Sequence, residues 1–185
     1  MSLWELAAVV LAIAYLLLAI KQNALCWLAA IASAAIYVVL LFEVRLYMES
    51  ALQLFYIAMA IYGWVVWRRS DQRAVQVSSW PLAFHFIPLL IIVLLTLASA
   101  TALKVYTDAV SPWLDSFVTW GSIVTTWMVA RKILQNWHYW FVIDTISVYL
   151  YVSRDLWLTA GLFVVYLILI VLGYRQWRSS MRAVA

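Results

Sequence analysis

Seven runs of apolar residues, each close to one bilayer thickness in length, constrain this chain more than any other feature. They fall near Leu3 to Ile20, Ala24 to Phe42, Tyr47 to Trp67, Pro81 to Leu103, Trp113 to Ala130, Asn136 to Val152 and Leu156 to Gly173, each closed by a charged or turn-rich break. A hydrocarbon core of ~30 Å takes about 20 helical residues per crossing. The runs lack the polar/apolar alternation of a barrel strand, so helix is the spanning form that satisfies every backbone group. Composition agrees: 68% hydrophobic residues, 11% charged and a mean hydropathy of +0.98 exclude a water-soluble globule. In 185 residues seven spans leave little for a separate soluble domain. The first run has no basic segment ahead of it and reads as a retained span, not a cleaved signal. Cys26, the single cysteine, sits inside an apolar run and gives no disulfide, zinc or haem pattern.

The net charge of +4 is a topology signal here. One side collects Lys21, Arg68, Arg69, Arg73, Arg131, Lys132, Arg175, Arg178 and Arg182; the other holds Arg45, Lys104 and Arg154. Basic loops stay in the cytoplasm, so the N-terminus is expected outside and the C-terminus inside. No nucleic-acid partner is implied.

Self-comparison reveals two related halves. Leu46 falls on Leu156, Tyr56 on Tyr166, Gly63 on Gly173, Trp67 on Trp177, Arg68 on Arg178 and Ser70 on Ser180. A second match sets Gln22, Asn23 and Trp27 on Gln135, Asn136 and Trp140, which needs a three-residue gap. The expected architecture is therefore all-α and integral to the membrane. Residues 1–70 form a first three-helix bundle, 71–111 a linker helix region, and 112–185 a second bundle in the same orientation. Sugar transporters of the SWEET type use such parallel repeats, with substrate held near the midplane between the halves.

Polar side chains at membrane depth are costly and mark pathways or bundle interiors. In span six Asn136, Trp140, Asp144, Ser147 and Tyr151 share one helical face, flanked by Trp137 and Tyr149. Span three carries Gln53, Tyr56, Ala60, Trp64 and Trp67 in a comparable stripe. Span five offers Asp115, Thr119, Ser122 and Thr126 beside Trp120 and Trp127, and span two adds Ser33 and Tyr37. Aromatic walls, hydroxyl and amide groups and one deep acid suit a flat cationic ring, each stacked cation contributing ~0.5 to 2 kcal/mol. The plain alternatives stand beside this. Trp4, Trp80, Trp113, Trp157 and Trp177 suit interfacial belts or packing, and intramembrane Ser and Thr also bond neighbouring helices. Asp115 sits where a helix N-terminal charge belongs. His85 and His138 lack partners at metal spacing, and no nucleophile, phosphate loop or zinc helix supports catalysis. No cofactor is expected.

The exit of span three, Tyr62-Gly63-Trp64-Val65-Val66-Trp67, with Gln53 before it, and the run from Ala130 through Asn136, Trp137, His138, Trp140, Asp144 and Ser147 resemble the Pnu family of bacterial vitamin transporters. Pro112 to Ser116 and Leu46-Tyr47 also fit its pattern. The resemblance implies facilitated diffusion of an unphosphorylated vitamin across the inner membrane by alternating access, with a cytoplasmic kinase trapping the product. It places Gln53, Trp64, Trp67, Asn136, Trp140 and Asp144 in the pocket. Riboside-type members tend to have asparagine where Ser33 and Ala60 stand, and that departure, with Asp144 and the added Trp120, Trp127 and Tyr149, favours thiamine over nicotinamide riboside, although both are flat cations. Two other classes compete. A substrate-binding subunit of an energy-coupling importer is opposed by the repeat and the odd number of spans, and an intramembrane enzyme by the missing nucleophile. A homo-oligomer is compatible with the sequence.

Overall fold

Helix C-termini and the turns after them show most directly how this chain folds. A computed structural model describes residues 3–43, 47–68, 76–106, 111–153 and 157–184. Among these are α1 (Leu3–Ile20), α2 (Cys26–Glu43), α3 (Tyr47–Arg68), α4 (Phe86–Tyr106) entered through the 3-10 turn Leu82–His85, α5 (Pro112–Ala130), α6 (Asn136–Val152) and α7 (Trp157–Val184). After α1, Gln22 takes φ 54°, and after α5, Lys132 takes φ 52°. In both turns the same pair of bonds caps the helix. Gln22 N–H donates to the Ala19 carbonyl and Asn23 N–H to that of Leu18, while Lys132 donates to Val129 and Ile133 to Met128. This is the double C-terminal cap that normally recruits glycine. Its use of Gln and Lys shows tertiary contacts holding left-handed backbone at a cost of about 1 kcal/mol or more each.

Gln22 and Lys132 lie 110 positions apart, and so do Cys26 and Asn136, which begin α2 and α6. One register without a gap therefore lays α1 on α5, α2 on α6 and α3 on α7. It corrects the second of the two matches read from the sequence: the partner of Trp27 is Trp137, not Trp140. The Gln-Asn pairs at 22–23 and 135–136 align by composition only.

Contacts between helices close a ring. α1 packs on α2, α2 on α3, α3 on α5, α5 on α6, α6 on α7 and α7 on α1, and α4 lies outside, against α5. Within-bundle neighbours alternate with two equivalent crossings, α3 with α5 and α1 with α7. At both crossings helix C-termini meet, so the two bundles run in the same direction. The outer surface is apolar: Leu90, Val93, Leu94 and Leu97 of α4, Val10 and Leu17 of α1 and Val165, Ile168 and Leu172 of α7 are all exposed. Such a surface needs lipid against it. By length and composition the segments Leu82–Tyr106 and Ala160–Met181 pass as membrane spans on their own.

Two helix boundaries differ from expectation. The fourth span starts as a 3-10 turn because Pro81 and Pro88 bracket its entry. The seventh runs on to Val184 instead of stopping at Gly173. Gly173 is no stop signal. A Cβ there would come within 2.4 Å of the Trp137 ring, and one at the matching Gly63 within 2.3 Å of Trp27, so each glycine admits an indole against its helix. Arg45, Leu46, Arg69, Ser70, Arg73, Arg154 and Leu156, used in the sequence reading, lie outside the described residues.

Candidate substrate site between the two bundles

At the basic end of the ring the matched tryptophans meet. Trp27 packs edge-on against Trp67 with centroids 5.4 Å apart, Trp67 lies 6.0 Å from Trp177, and Trp177 stands edge-on to Trp137 at 5.3 Å. Trp27, Trp137 and Trp177 are buried. The crossings are braced reciprocally. Trp67 Nε1–H donates to the Ala130 carbonyl at 3.0 Å, from the first bundle to the second, and Trp177 Nε1–H to the Ala19 carbonyl at 3.0 Å, from the second to the first. Both acceptors are helix C-terminal carbonyls: that of Ala19 already accepts from Gln22 N–H, whereas that of Ala130 takes its bond from the indole. Lys132 Nζ sits 4.7 Å from the Trp67 ring centroid, and burial pulls the Lys132 ammonium below its ordinary pKa. Together these rings seal one end of the ring of helices.

Above the seal, Asp144 of α6 is 5% exposed and has no basic partner among the described residues. Tyrosines converge around it. Tyr56 of α3 lies beside Ser122 of α5 and within electrostatic range of Asp144 and Tyr151. Tyr166 of α7 lies within electrostatic range of Asp144 and of Tyr37 of α2, and Tyr15 of α1 within that of Tyr56. Tyr151 and Phe163 stack at 5.1 Å, and Phe163 and Tyr166 at 5.5 Å. Asn136, about 12 Å below Asp144 along α6 at 1.5 Å per residue, is fully buried; its Nδ2 donates to the Ile133 carbonyl at 2.6 Å. Its Oδ1, with the indole N–H groups of Trp27 and Trp137, is buried without a protein partner. A buried polar atom left unpaired costs about 1–3 kcal/mol, so these atoms are free to meet a polar ligand or water.

The structure therefore brings together Tyr56, Asn136, Asp144 and Ser147 on inner faces, with Trp64, Trp67, Trp137 and Trp140 at or around the aromatic seal. Ser147 donates to its own helix at Ile143 and keeps acceptor capacity. Gln53 is half-buried one turn before Tyr56. Other expected residues point elsewhere. Trp120 Nε1–H donates to Ser99 Oγ of α4 at 3.0 Å, Trp127 is 40% exposed and packs on Trp80, and Tyr149 is 64% exposed. Trp120 and Trp127 serve the docking of the linker, which helical spacing alone does not distinguish from a cavity wall. Thr119 bonds the Asp115 carbonyl in its own helix, and Ser33 is spent on the Ala8 carbonyl at 2.9 Å within the first bundle. The sequence reading omits Tyr15 and Tyr166; the repeat, which pairs Tyr166 with Tyr56, carried the signal for one of them. Trp177, assigned from the sequence to an interfacial belt or to helix packing, is fully buried at the centre of the seal and serves packing.

Among the described residues the linker is fixed to the second bundle. Ser78 and Lys132 to Leu134 form a short parallel bridge, the Gln135 side chain bonds the backbone of Trp80 and the Ser79 hydroxyl, and His85 Nδ1 lies 2.9 Å from the Tyr139 hydroxyl.

Known proteins share this arrangement. The crystal structure of the vitamin B3 transporter PnuC superposes with a TM-score of 0.78 over 97% of this chain and 82% of that one at 20% identity, a likeness of fold. The nicotinamide riboside transporter PnuC of Escherichia coli (strain K12) is 25% identical over 173 residues, covering 78% of this chain and 72% of its own. The riboflavin/roseoflavin transporter RibM of Streptomyces davaonensis is 28% identical over 127 residues, covering 65% and 59%. Residues 2–179 match the family described as nicotinamide mononucleotide transporter. With nearly its whole length matched, a membrane-spanning fold in common and relatives named as transporters, the chain belongs to this PnuC family of vitamin-type transporters and is not an enzyme.

Proposed function

We propose that the protein carries nicotinamide riboside across the bacterial inner membrane, down its gradient, by alternating access. The single observation behind this reading is Asp144: a buried carboxylate, ringed by phenols and lacking a basic partner among the described residues, is matched by a ligand that brings its own positive charge. The nicotinamide ring of the riboside is a flat cation, and its ribose hydroxyls and amide would meet the free Asn136 Oδ1 and indole N–H groups. The E. coli relative is named for this substrate, which moves the first choice from thiamine to the riboside. Thiamine remains the second reading because it too is a flat cation. Riboflavin, for which the Streptomyces relative is named, is a larger neutral ring system and makes no use of the carboxylate.

In the mechanism that follows, substrate enters from the end opposite the tryptophan seal and reaches Asp144 and the tyrosines. Rocking of the bundles then parts the α3/α5 and α1/α7 crossings, breaking the two tryptophan braces together. The basic, sealed end is the cytoplasmic one on the positive-inside rule, which puts the N-terminus outside. Release into the cytoplasm and phosphorylation there by a kinase would make uptake one-way without energy input at the transporter. Radiolabelled uptake into proteoliposomes with no energy source tests the reading. The riboside should equilibrate across the membrane and unlabelled riboside should compete. Equilibration of thiamine or riboflavin alone would replace the substrate, and accumulation above the external concentration would refute facilitated diffusion.

A further inference from the structure

A groove of about 460 Å³ lies along α6 and α7 at the sealed end. Phe141 and Val171 form its walls and Ile170 and Trp137 its floor, while Arg175 and Arg178 stand at its mouth beside Tyr174 and His138. Val171, Tyr174, Arg175 and Arg178 follow the spacing of one helical face. The Arg178 guanidinium lies 5.9 Å from the Tyr174 ring centroid and the His138 ring 4.7 Å from it. Neither arginine has a carboxylate partner among the described residues, and no acid lines the groove.

Position and charge select the ligand. α7 has 28 residues, hence a length of about 42 Å against a hydrocarbon core of ~30 Å, so its last turns reach the headgroup layer while Val171 and Phe141 stay beside the acyl chains. The internal repeat supplies a control. At the matching places of the first bundle Arg68 is retained, 4.9 Å from Trp64, but Val65 replaces Arg175 and Leu28 replaces His138. A general positive-inside bias would be met by arginines anywhere at this end, and does not account for a second arginine and an imidazole gathered over an apolar trough in one half.

We propose that this groove is a binding site for an anionic phospholipid, with the headgroup phosphate held by Arg175 and Arg178 and one acyl chain laid along Phe141 and Val171. Two arginines near the surface, at about fivefold in affinity each, give roughly 25-fold preference over a neutral lipid. The test is native mass spectrometry of the whole protein released from vesicles of phosphatidylcholine containing one-tenth phosphatidylglycerol. Retained phosphatidylglycerol is expected on the wild type and on an R175K/R178K variant, with loss on R175Q/R178Q and no change on R68Q. Because the glutamine variant could be compromised in folding, V65R combined with L28H is tested as well and should add a second retained lipid. Soluble glycerol phosphate, which lacks the acyl chains, should neither bind nor raise the melting temperature. Equal retention by wild type and R175Q/R178Q would overturn the proposal. So would retention of glycerol phosphate, or dimers cross-linked through α7 whose formation ignores the lipid added.

Discussion

The two bundles share one construction and divide its work unequally. Everything that seals the basic end is duplicated at matching positions: the left-handed caps at Gln22 and Lys132, the indoles of Trp27 and Trp137 seated on Gly63 and Gly173, and the crossed donors Trp67 and Trp177. The polar groups at depth are not duplicated. Asp144, Asn136, Ser147, Ser122 and Thr126 of the second bundle correspond to Ala34, Cys26, Tyr37, Ala12 and Leu16 of the first. Among the groups around Asp144, Tyr56 and Tyr166 form a symmetric pair, as the Trp27 and Trp137 indoles do at the seal. A symmetric closure with an asymmetric lining means that the motion belongs to the repeat and the chemistry to one half.

The strongest challenge to the symmetric part is to fill its glycine seats. Gly63→Leu and Gly173→Leu each force a rigid buried indole to move, an overpacking cost of about 3 kcal/mol or more, which at ~2–4 °C per kcal/mol predicts a melting temperature lower by about 6–12 °C for both. A large effect at one seat and none at the other would end the claim that the seal is duplicated. Next in size are the braces. Trp67→Phe and Trp177→Phe each delete one indole hydrogen bond worth about 0.5–1.5 kcal/mol. Opening of the seal should become roughly two- to twelvefold easier in either variant, read as faster maleimide labelling of Cys26, which is fully buried beside Trp27 and needs no engineered thiol. Labelling that responds to one tryptophan alone would show a closure hinged on one crossing. Tyr56→Phe should cost more affinity than Tyr166→Phe, by a few-fold in titration calorimetry, because the Tyr56 hydroxyl lies beside both Ser122 and Asp144 of the second bundle. The smallest expected effect is at Gly161, where an added Cβ meets nothing within 4 Å. Gly161→Ala should raise the melting temperature by about 2 °C through helix propensity alone, in contrast to the seated glycines.

The spans, their number and the existence of a repeat were legible in the sequence because they rest on one-dimensional signals: apolar runs of fixed length, and residues recurring at a fixed offset. The inner stripe of α6 was legible for the same reason, since Asn136, Asp144 and Ser147 obey helical spacing and intramembrane acids need a purpose. Side-chain destinations were not. Trp120 and Trp140 satisfy similar patterns, yet Trp120 faces the linker helix and Trp140 the core, because the ring order of helices decides which face is inner. The true register of Trp27 with Trp137 was hidden by the Gln-Asn pairs, a similarity of composition that outweighs the plainer match of Cys26 with Asn136. The reach of α7 past Gly173 was hidden too, because a glycine serving close approach reads in sequence as a glycine ending a helix.

The central claim is that Asp144, with no counterpart in the first bundle, reads the positive charge of the substrate ring. Nicotinamide riboside and its dihydro form differ chiefly in that charge, so calorimetric affinities of both for wild type and Asp144→Asn isolate the effect. A charge-assisted contact of about 1.5–3 kcal/mol predicts roughly ten- to a hundredfold preference for the cation in the wild type and near-equal affinities in the variant. An undiminished preference in Asp144→Asn would contradict the account and leave Asp144 as a packing residue of α6.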